Sequence, residues 1–172
     1  MTEILLARHG ETDWNRERRW QGHADPPLNE LGREQAHGLA DALAGVELDA
    51  IYASDLRRAY ETAEIVGARL GLPVTSDPGL REIDVGSWSG LTREQLEGRE
   101  WDGETQEQHA ERVLRAVRRI AERHPRGRVL VVTHGGSLRR VHEAARAEER
   151  LRIANCELYR VRYRDGSFQL LD

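Results

Sequence analysis

The stretch LLARHGETDWN, residues 5–15, ends an apolar run with an arginine, a histidine and a glycine. The run begins at Ile4, and a short, continuously apolar segment is typical of a strand buried on both faces of a parallel sheet. The same order recurs at residues 129–136, VLVVTHGG. Both segments therefore place a histidine at the carboxyl end of a predicted strand, followed by a glycine that permits a tight turn.

The apolar periods along the chain alternate between those of strands and those of helices. Further strands are predicted at residues 50–53 and 72–75, and a terminal hairpin with an Asp165-Gly166 turn at residues 158–163 and 168–171. Helical stripes lie at residues 36–43, 56–70, 110–121 and 138–145. This alternation predicts an α/β fold, a three-layer α/β/α sandwich with a mainly parallel central sheet and a C-terminal hairpin. At 172 residues, the chain is expected to form a single domain, residues 1–172.

Composition excludes several functional classes. The net charge is −4, from 30 acidic residues and 26 basic ones, and every basic residue is an arginine. Since no excess of positive charge is available for a phosphate track, we expect no nucleic-acid partner. The absence of an apolar run of about 18 residues and the early charges predict no membrane partner and a cytoplasmic protein. Cys156, the single cysteine, excludes an internal disulfide, and nothing in the sequence defines an oligomeric state.

Ligand sites in such sheets lie beyond the carboxyl ends of the strands, near a topological switch point. His9 and His134 are predicted to meet there. Each is followed by a predicted helix, capped by Thr12 or Asp13 in one case and by Ser137 in the other, whose free N–H groups face the site. These corners are candidates for binding an anion.

A third element, SDLRRAYETA at residues 54–63, opens another helix with two arginines. The helix dipole disfavours cations in a first turn, so one of them is expected to face an anion, and the buried stripe places Arg58 on the core side. Two guanidiniums and two imidazoles would hold a phosphate by bidentate hydrogen bonds without a metal. A neutral imidazole is a competent nucleophile, and neighbouring arginines disfavour its protonation. We therefore expect Arg8 to bind a phosphate that His9 attacks.

Four segments in this order resemble the signature segments of the histidine phosphatase superfamily, also called the phosphoglycerate mutase-like family. They are RHGETDWNRERRWQGHADPPLNELG, SDLRRAYETA, LREIDVGSWSGL and VVTHGGSLR. The resemblance covers nearly the whole chain and implies a three-layer α/β fold and a phosphohistidine intermediate on His9. It implies that Arg8, Arg58 and His134 complete the phosphate pocket, and that Glu82 donates a proton to the leaving group and then serves as base for water.

The same resemblance implies weaker assignments. Asn15 would add hydrogen bonds to the phosphate, Gln21 and Gly22 would border the substrate, and Gly135 is a further binding candidate beside His134. From the residues alone, Asn15 could equally be a local helix cap, and Glu82 could be a surface carboxylate.

Only twelve residues, Leu91 to Asp102, separate Ser89-Gly90 from the GET segment at residues 103–105. This is shorter than members of the family usually have, mutases above all. A mutase must exclude water from its phosphoenzyme, so a short cover favours hydrolysis. We therefore predict a metal-independent phosphomonoesterase of the histidine acid phosphatase type, with a small-molecule phosphate ester as substrate and no cofactor. The alternative is a cofactor-dependent phosphoglycerate mutase.

Two readings from other classes remain open. His9, His134 and Glu82 could form a two-histidine, one-carboxylate metal site, although the flanking arginines would repel a cation. A non-catalytic phosphate-binding module is the other. The four tryptophans lie in or near the site segments, and one or two are expected to line its mouth: Trp14, Trp20, Trp88 and Trp101.

Overall fold

The computed structural model describes residues 1–145 and 151–171. The described strands are β1 (Thr2–Arg8), β2 (Ala50–Ala53), β3 (Val74–Ser76), β4 (Arg128–Thr133), β5 (Leu158–Arg164) and β6 (Ser167–Leu170). The described helices are α1 (Asp13–Arg16), α2 (Glu30–Leu43), α3 (Arg57–Leu70), α4 (Gln106–Arg123) and α5 (Gly135–Ala144). Short 3-10 turns lie at Pro78–Leu80, Gly86–Trp88 and Glu94–Leu96. None of the described helices is both long and apolar enough to cross a lipid bilayer.

The strands form one sheet in the order β3-β2-β4-β1-β5-β6. The pairs β3–β2, β2–β4 and β4–β1 are parallel, whereas β5 runs antiparallel to β1 and β6 antiparallel to β5. Asp165 and Gly166 both have positive φ, as a tight two-residue hairpin turn requires. The predicted mainly parallel sheet and C-terminal hairpin are confirmed.

The central strand β1 is buried on both faces because its side chains alternate between two cores. Leu5 and Ala7 pack with α2 and α3, whereas Ile4 and Leu6 pack with α4 and α5. This arrangement confirms the predicted three-layer sandwich. The segments that follow the neighbouring strands β1 and β4 therefore lead to opposite faces of the sheet, which opens a crevice at the carboxyl ends of these two strands.

Two local predictions differ from the observed structure, one in the start of a strand and one in the buried positions of a helix. The third strand begins at Val74 rather than Leu72, because Gly71 (φ 71°) ends α3 and Leu72 N–H donates to Gly67 O to close the helix. On α4, Ala110 and Leu114 are only partly buried, and the inward stripe includes His109 and Ala116 instead. The stripe was misplaced because a polar residue, His109, occupies one of its positions.

The turn after β1 packs against α2 with no room for a side chain. A Cβ at Gly10 would lie 2.4 Å from Gly32 O, and a Cβ at Gly32 would lie 2.1 Å from Glu11 O. Gly38, on the same helix, is exposed, with nothing within 4 Å of an added Cβ. Two glycines of one helix thus differ in whether they tolerate a methyl group.

We expect Gly32→Ala to lower the free energy of unfolding by about 1–3 kcal/mol, because the added methyl group displaces the turn that bears His9. Gly38→Ala should raise it by up to about 1 kcal/mol, because alanine has the higher helix propensity. Urea denaturation of the two variants measures the difference. Stabilisation by both substitutions would show that the turn and α2 are not in close contact.

Candidate active site

A cavity of about 400 Å³ opens at the carboxyl ends of β1 and β4. Eight of the predicted site residues line it: Arg8, His9, Asn15, Gln21, Gly22, Arg58, Glu82 and Gly135. The ninth, His134, is fully buried beside it, with its ring centroid 5.3 Å from that of His9. The structure therefore brings every predicted site residue to one place.

The tautomer of His9 follows from its neighbour. Nδ1 lies 2.7 Å from Gly10 O, and since a carbonyl oxygen only accepts, Nδ1 bears the proton and Nε2 retains its lone pair. Burial lowers the pKa of His9 well below its ordinary value, and the charges of Arg58 and Arg8 lower it further. His9 is thus a neutral imidazole with a free nucleophilic nitrogen.

Three elements fix the backbone around this histidine. His9 N–H donates to Thr133 O of β4, and Asn155 Nδ2 donates to His9 O at 2.8 Å. Gly10 N–H donates to Thr62 Oγ1, whose hydroxyl donates to the carbonyl of Arg58. His9 and the cation Arg58 are therefore connected through one buried threonine.

Arg58 is almost completely buried, and among the described residues only carbonyl groups bind its terminal nitrogens. Nη1 donates to Ala24 O at 2.7 Å and Nη2 to Gly22 O at 2.8 Å. Burial lowers its pKa to about 10, so it remains charged at neutral pH. Gly22 therefore contributes through its carbonyl, and its φ of 50° favours glycine.

Arg8 is held in a similar way. Its Nη1 donates to Ile153 O at 3.1 Å, and burial lowers its pKa from the ordinary value. A Cβ at Gly135 would lie 3.5 Å from Arg8 Nε, so α5 begins directly beside this guanidinium.

His134 is the N-cap of α5, and the predicted cap, Ser137, was wrong. Ser137 lies inside the first turn, where its hydroxyl donates to Arg81 O. His134 Nε2 lies 2.9 Å from Ser54 Oγ. Burial, and then the charge of Arg58, lowers the pKa of His134 well below its ordinary value, so this imidazole is also neutral.

Four buried nitrogens at this cavity have no hydrogen-bond partner among the described residues: Arg8 Nε, Arg58 Nε, Arg140 Nε and His134 Nδ1. A buried donor left without an acceptor costs about 1–3 kcal/mol. Several such nitrogens around one cavity form a site that an anion rich in acceptor oxygens would complete.

The carboxyl group of Glu82 is held by backbone donors. Oε1 accepts from Ile83 N–H at 2.9 Å and Oε2 from Gly136 N–H at 2.8 Å. A Cβ at Gly136 would lie 2.2 Å from Oε1, so the second glycine of THGG makes room for the carboxylate. Glu82 is therefore part of the cavity rather than a free surface group.

The sequence analysis missed Arg112, which fixes the segment that bears Glu82. Its guanidinium donates to the carbonyls of Gly79, Arg81 and Glu82 at 3.0–3.1 Å. Glu104, from the GET segment, binds the same guanidinium at 2.7 and 2.9 Å. The available signal in the sequence for Arg112 was its charge pairing with Glu104. The two residues lie eight positions apart at the start of a predicted helix.

His109 was also missed. It is 1% exposed, and its Nε2 lies 3.1 Å from Ser137 Oγ and 3.6 Å from Glu82 Oε1. A histidine at a position of the buried stripe of α4 was the signal, because buried polar side chains need partners.

Asn15 serves as a local cap and also lines the cavity. Thr12 is the N-cap of α1, and Asn15 Oδ1 accepts from Thr12 N–H in a capping box. The hydroxyl of Thr12 lies 2.7 Å from Gln21 Oε1. Asn15 Nδ2 is the part of the amide that the capping box does not use.

Two of the four tryptophans, Trp14 and Trp20, line the cavity, as expected. The ring of Trp88 packs edge-on against two other tryptophans. Its centroid lies 5.5 Å from that of Trp20 and 4.9 Å from that of Trp101. These contacts connect the mouth of the cavity to the segment that follows Gly90.

Within residues 1–145 and 151–171, no group of three or more histidine, cysteine or acidic side chains is arranged to hold a metal. Of the metal set considered from the sequence, His9 uses Nδ1 for Gly10 O, and Glu82 uses both oxygens for backbone N–H groups. The described geometry gives that reading no support.

Comparison with known proteins agrees with this geometry. A family model described as the histidine phosphatase superfamily, branch 1, matches residues 4–172. Phosphoglycerate mutase-like protein 4 of Arabidopsis thaliana is 37% identical over 185 residues, which cover 95% of this chain and 80% of that protein.

Two solved structures are similar throughout. YhfR of Bacillus stearothermophilus is 35% identical, with a TM-score of 0.91 and coverage of 99% of this chain and 95% of YhfR. A mycobacterial glucosyl-3-phosphoglycerate phosphatase in complex with VO3 is 30% identical, with a TM-score of 0.88 and coverage of 97% and 95%.

The lowered pKa of His9 makes stability depend on pH. An unfolded histidine takes up a proton below about pH 6.5, whereas buried His9 does not, so acid favours the unfolded chain. Between pH 7.5 and 5.5 the wild type should lose about 1 kcal/mol more unfolding free energy than His9→Asn, which keeps a donor for Gly10 O. Urea denaturation at both pH values measures this, and equal losses would mean that His9 is protonated in the folded protein.

Proposed function

The chain belongs to branch 1 of the histidine phosphatase superfamily, and from this premise we propose that it is a metal-independent phosphomonoesterase of the histidine acid phosphatase type. It hydrolyses small phosphate esters through a phosphohistidine on His9. The observation that carries this proposal is the set of unpartnered buried nitrogens on Arg8, Arg58 and His134 around a neutral His9.

The phosphoryl group of the ester occupies the space that these nitrogens face. Two charged guanidiniums match the charge of a phosphate and the forked geometry of its oxygens. For His134 Nδ1–H to donate to the phosphate, Ser54 Oγ, which accepts from Leu56 N–H, gives its own proton to His134 Nε2 at 2.9 Å. Gly135, at the positive end of α5, and Asn15 Nδ2 lie at the same cavity.

Hydrolysis then takes two steps. In the first, Nε2 of His9 attacks phosphorus, the bond from phosphorus to the ester oxygen breaks, and Glu82 gives its proton to the departing oxygen. In the second, water attacks phosphorus, the phosphorus–nitrogen bond breaks, and Glu82 takes the proton from the water. Inorganic phosphate leaves and His9 returns to its neutral form.

The short cover supports hydrolysis over mutase chemistry. None of the twelve residues from Leu91 to Asp102 is buried, and the described part of this segment contains a single 3-10 turn. Such a cover excludes water poorly, and a phosphohistidine that water can reach is hydrolysed. Phosphoglycerate mutase activity, which the name of the Arabidopsis relative suggests, remains the second candidate.

The rim of the cavity favours anionic substrates. Exposed Arg18, in the turn after α1, and exposed Arg139, on α5, line it, and Trp20 offers a partly exposed ring. A leaving group with a carboxylate or a sugar would contact both the arginines and the tryptophan ring. The named substrate of the mycobacterial phosphatase has such a leaving group.

The decisive experiment measures phosphate release from a panel of phosphate esters in EDTA, for the wild type and His9→Ala. We expect release that survives chelation and falls at least about a thousandfold in the variant, because the nucleophile is lost. 3-Phosphoglycerate with and without 2,3-bisphosphoglycerate completes the panel. Isomerisation without net release would make the protein a mutase, and turnover by His9→Ala would remove His9 from the mechanism.

The role of Glu82 predicts a dependence on the leaving group. Glu82→Gln should slow cleavage of phenyl phosphate about a hundredfold or more, since phenoxide leaves poorly without a proton. Phosphoenzyme formation from p-nitrophenyl phosphate should fall much less, because its leaving group is stable as an anion. A rapid-quench comparison of the two esters measures this, and equal losses would assign Glu82 to binding alone.

A further inference from the structure

His109 adjoins Glu82 from α4, an element outside the four segments that define the site. Ser137 Oγ has one proton, and Arg81 O, which can only accept, receives it. The Nε2 of His109, 3.1 Å from that oxygen, must therefore be the donor. The Nε2–H group of His109 thus donates to Ser137 Oγ, and Nε2 lies 3.6 Å from Glu82 Oε1.

The imidazole of His109 is buried and uncharged. Burial lowers the pKa of His109 more than the neighbouring carboxylate of Glu82 raises it. The ionisable groups that face it from the surrounding elements are Glu82, Glu104, Arg112, Arg140 and His134. His109 is thus surrounded by the proposed catalytic acid Glu82, by the ion pair of Glu104 and Arg112, by the cation Arg140 and by the neutral imidazole of His134. Glu82 itself faces the charges of Arg8 and Arg58 as well as His109.

We propose that His109 is a positioning residue for Glu82, whose neutral Nε2–H group stabilises the ionised carboxylate and sets the pH range in which Glu82 changes from acid to base. This inference rests on the proposed function, because it assumes that Glu82 gives and takes the proton. In the free protein the Nε2–H group donates to Ser137 Oγ and acts on Glu82 Oε1 through its dipole, across 3.6 Å. Such contacts often tighten when substrate binds.

Loss of the Nε2–H group should shift the pH dependence of both reaction steps to higher pH. Without it, the carboxylate is less stable, so Glu82 keeps its proton to higher pH. Cleavage of the ester, which needs the acid form, then persists to higher pH. Hydrolysis of the phosphoenzyme, which needs the base form, requires higher pH. A general loss of packing would lower both rates without this coordinated shift.

The test is the pH dependence of each step in His109→Leu, measured by rapid quench with phenyl phosphate. We expect the basic limb of phosphoenzyme formation and the acidic limb of its hydrolysis both to move up by about half to one pH unit. At a pH on the acidic limb, hydrolysis of the phosphoenzyme should be about three- to tenfold slower. KM should change little, because the proposed contacts to the phosphate come from Arg8, Arg58 and His134.

Two matched variants separate this role from a structural one. His109→Gln keeps an N–H donor that cannot ionise and should restore the wild-type profiles. His124→Leu, at the C-terminal end of the same helix and bonded to Tyr52, should leave both limbs in place. Wild-type profiles in His109→Leu, or failure of glutamine to restore them, would overturn the proposal.

The Glu82→Gln background distinguishes this inference from the function on which it rests. His109→Leu should leave the pH profiles of Glu82→Gln unchanged, because no carboxyl remains to shift. A shift that persists in that background would overturn the role of His109. If Glu82→Gln alone keeps the wild-type profiles, the acid–base assignment in the proposed function fails instead.

Discussion

Burial of nitrogen groups at one end of the sheet is the constraint on which the site depends. Burial disfavours charge on a guanidinium and on an imidazole alike, but their ordinary pKa values differ by several units. Arg58 therefore stays charged with a pKa of about 10, whereas His9 and His134 become neutral. One environment thus produces both a cation and neutral imidazoles, which the proposed function uses to bind phosphate and to attack it.

The partners of these arginines show how the fold preserves that charge. Carbonyl oxygens of Gly22 and Ala24 bind Arg58, and the carbonyl of Ile153 binds Arg8. Arg112, which holds the segment of Glu82, differs in that it binds the carboxylate of Glu104 in addition to backbone carbonyls. A carboxylate would cancel the charge that a phosphate needs, whereas a carbonyl fixes the guanidinium and leaves the charge in place. Neutral acceptors at the site therefore keep the cations available to an anion.

Periodicity predicted the layers and the sheet because strands buried on both faces read as unbroken apolar runs, as Ile4 to Ala7 does. The segments around His9, Arg58 and His134 could be found for a related reason, since polar residues at the ends of apolar elements conflict with local preference. The signals for His109 and Arg112 were weaker, because each looks like an ordinary polar residue of an amphipathic helix until α4 is packed against Glu82 and its neighbours. Long-range contacts give such residues their roles.

Glu82 faces two opposing demands, because the proposed reaction uses it first as an acid and then as a base. Backbone N–H groups of Gly136 and Ile83 and the edge of His109 all favour the ionised carboxylate. A phosphate dianion in the neighbouring cavity favours the protonated form instead. In the proposed reaction, arrival of the ester would therefore favour the acid form that the leaving group needs. Once the leaving group has taken the proton, the same fixed donors would stabilise the carboxylate for its role as base toward water.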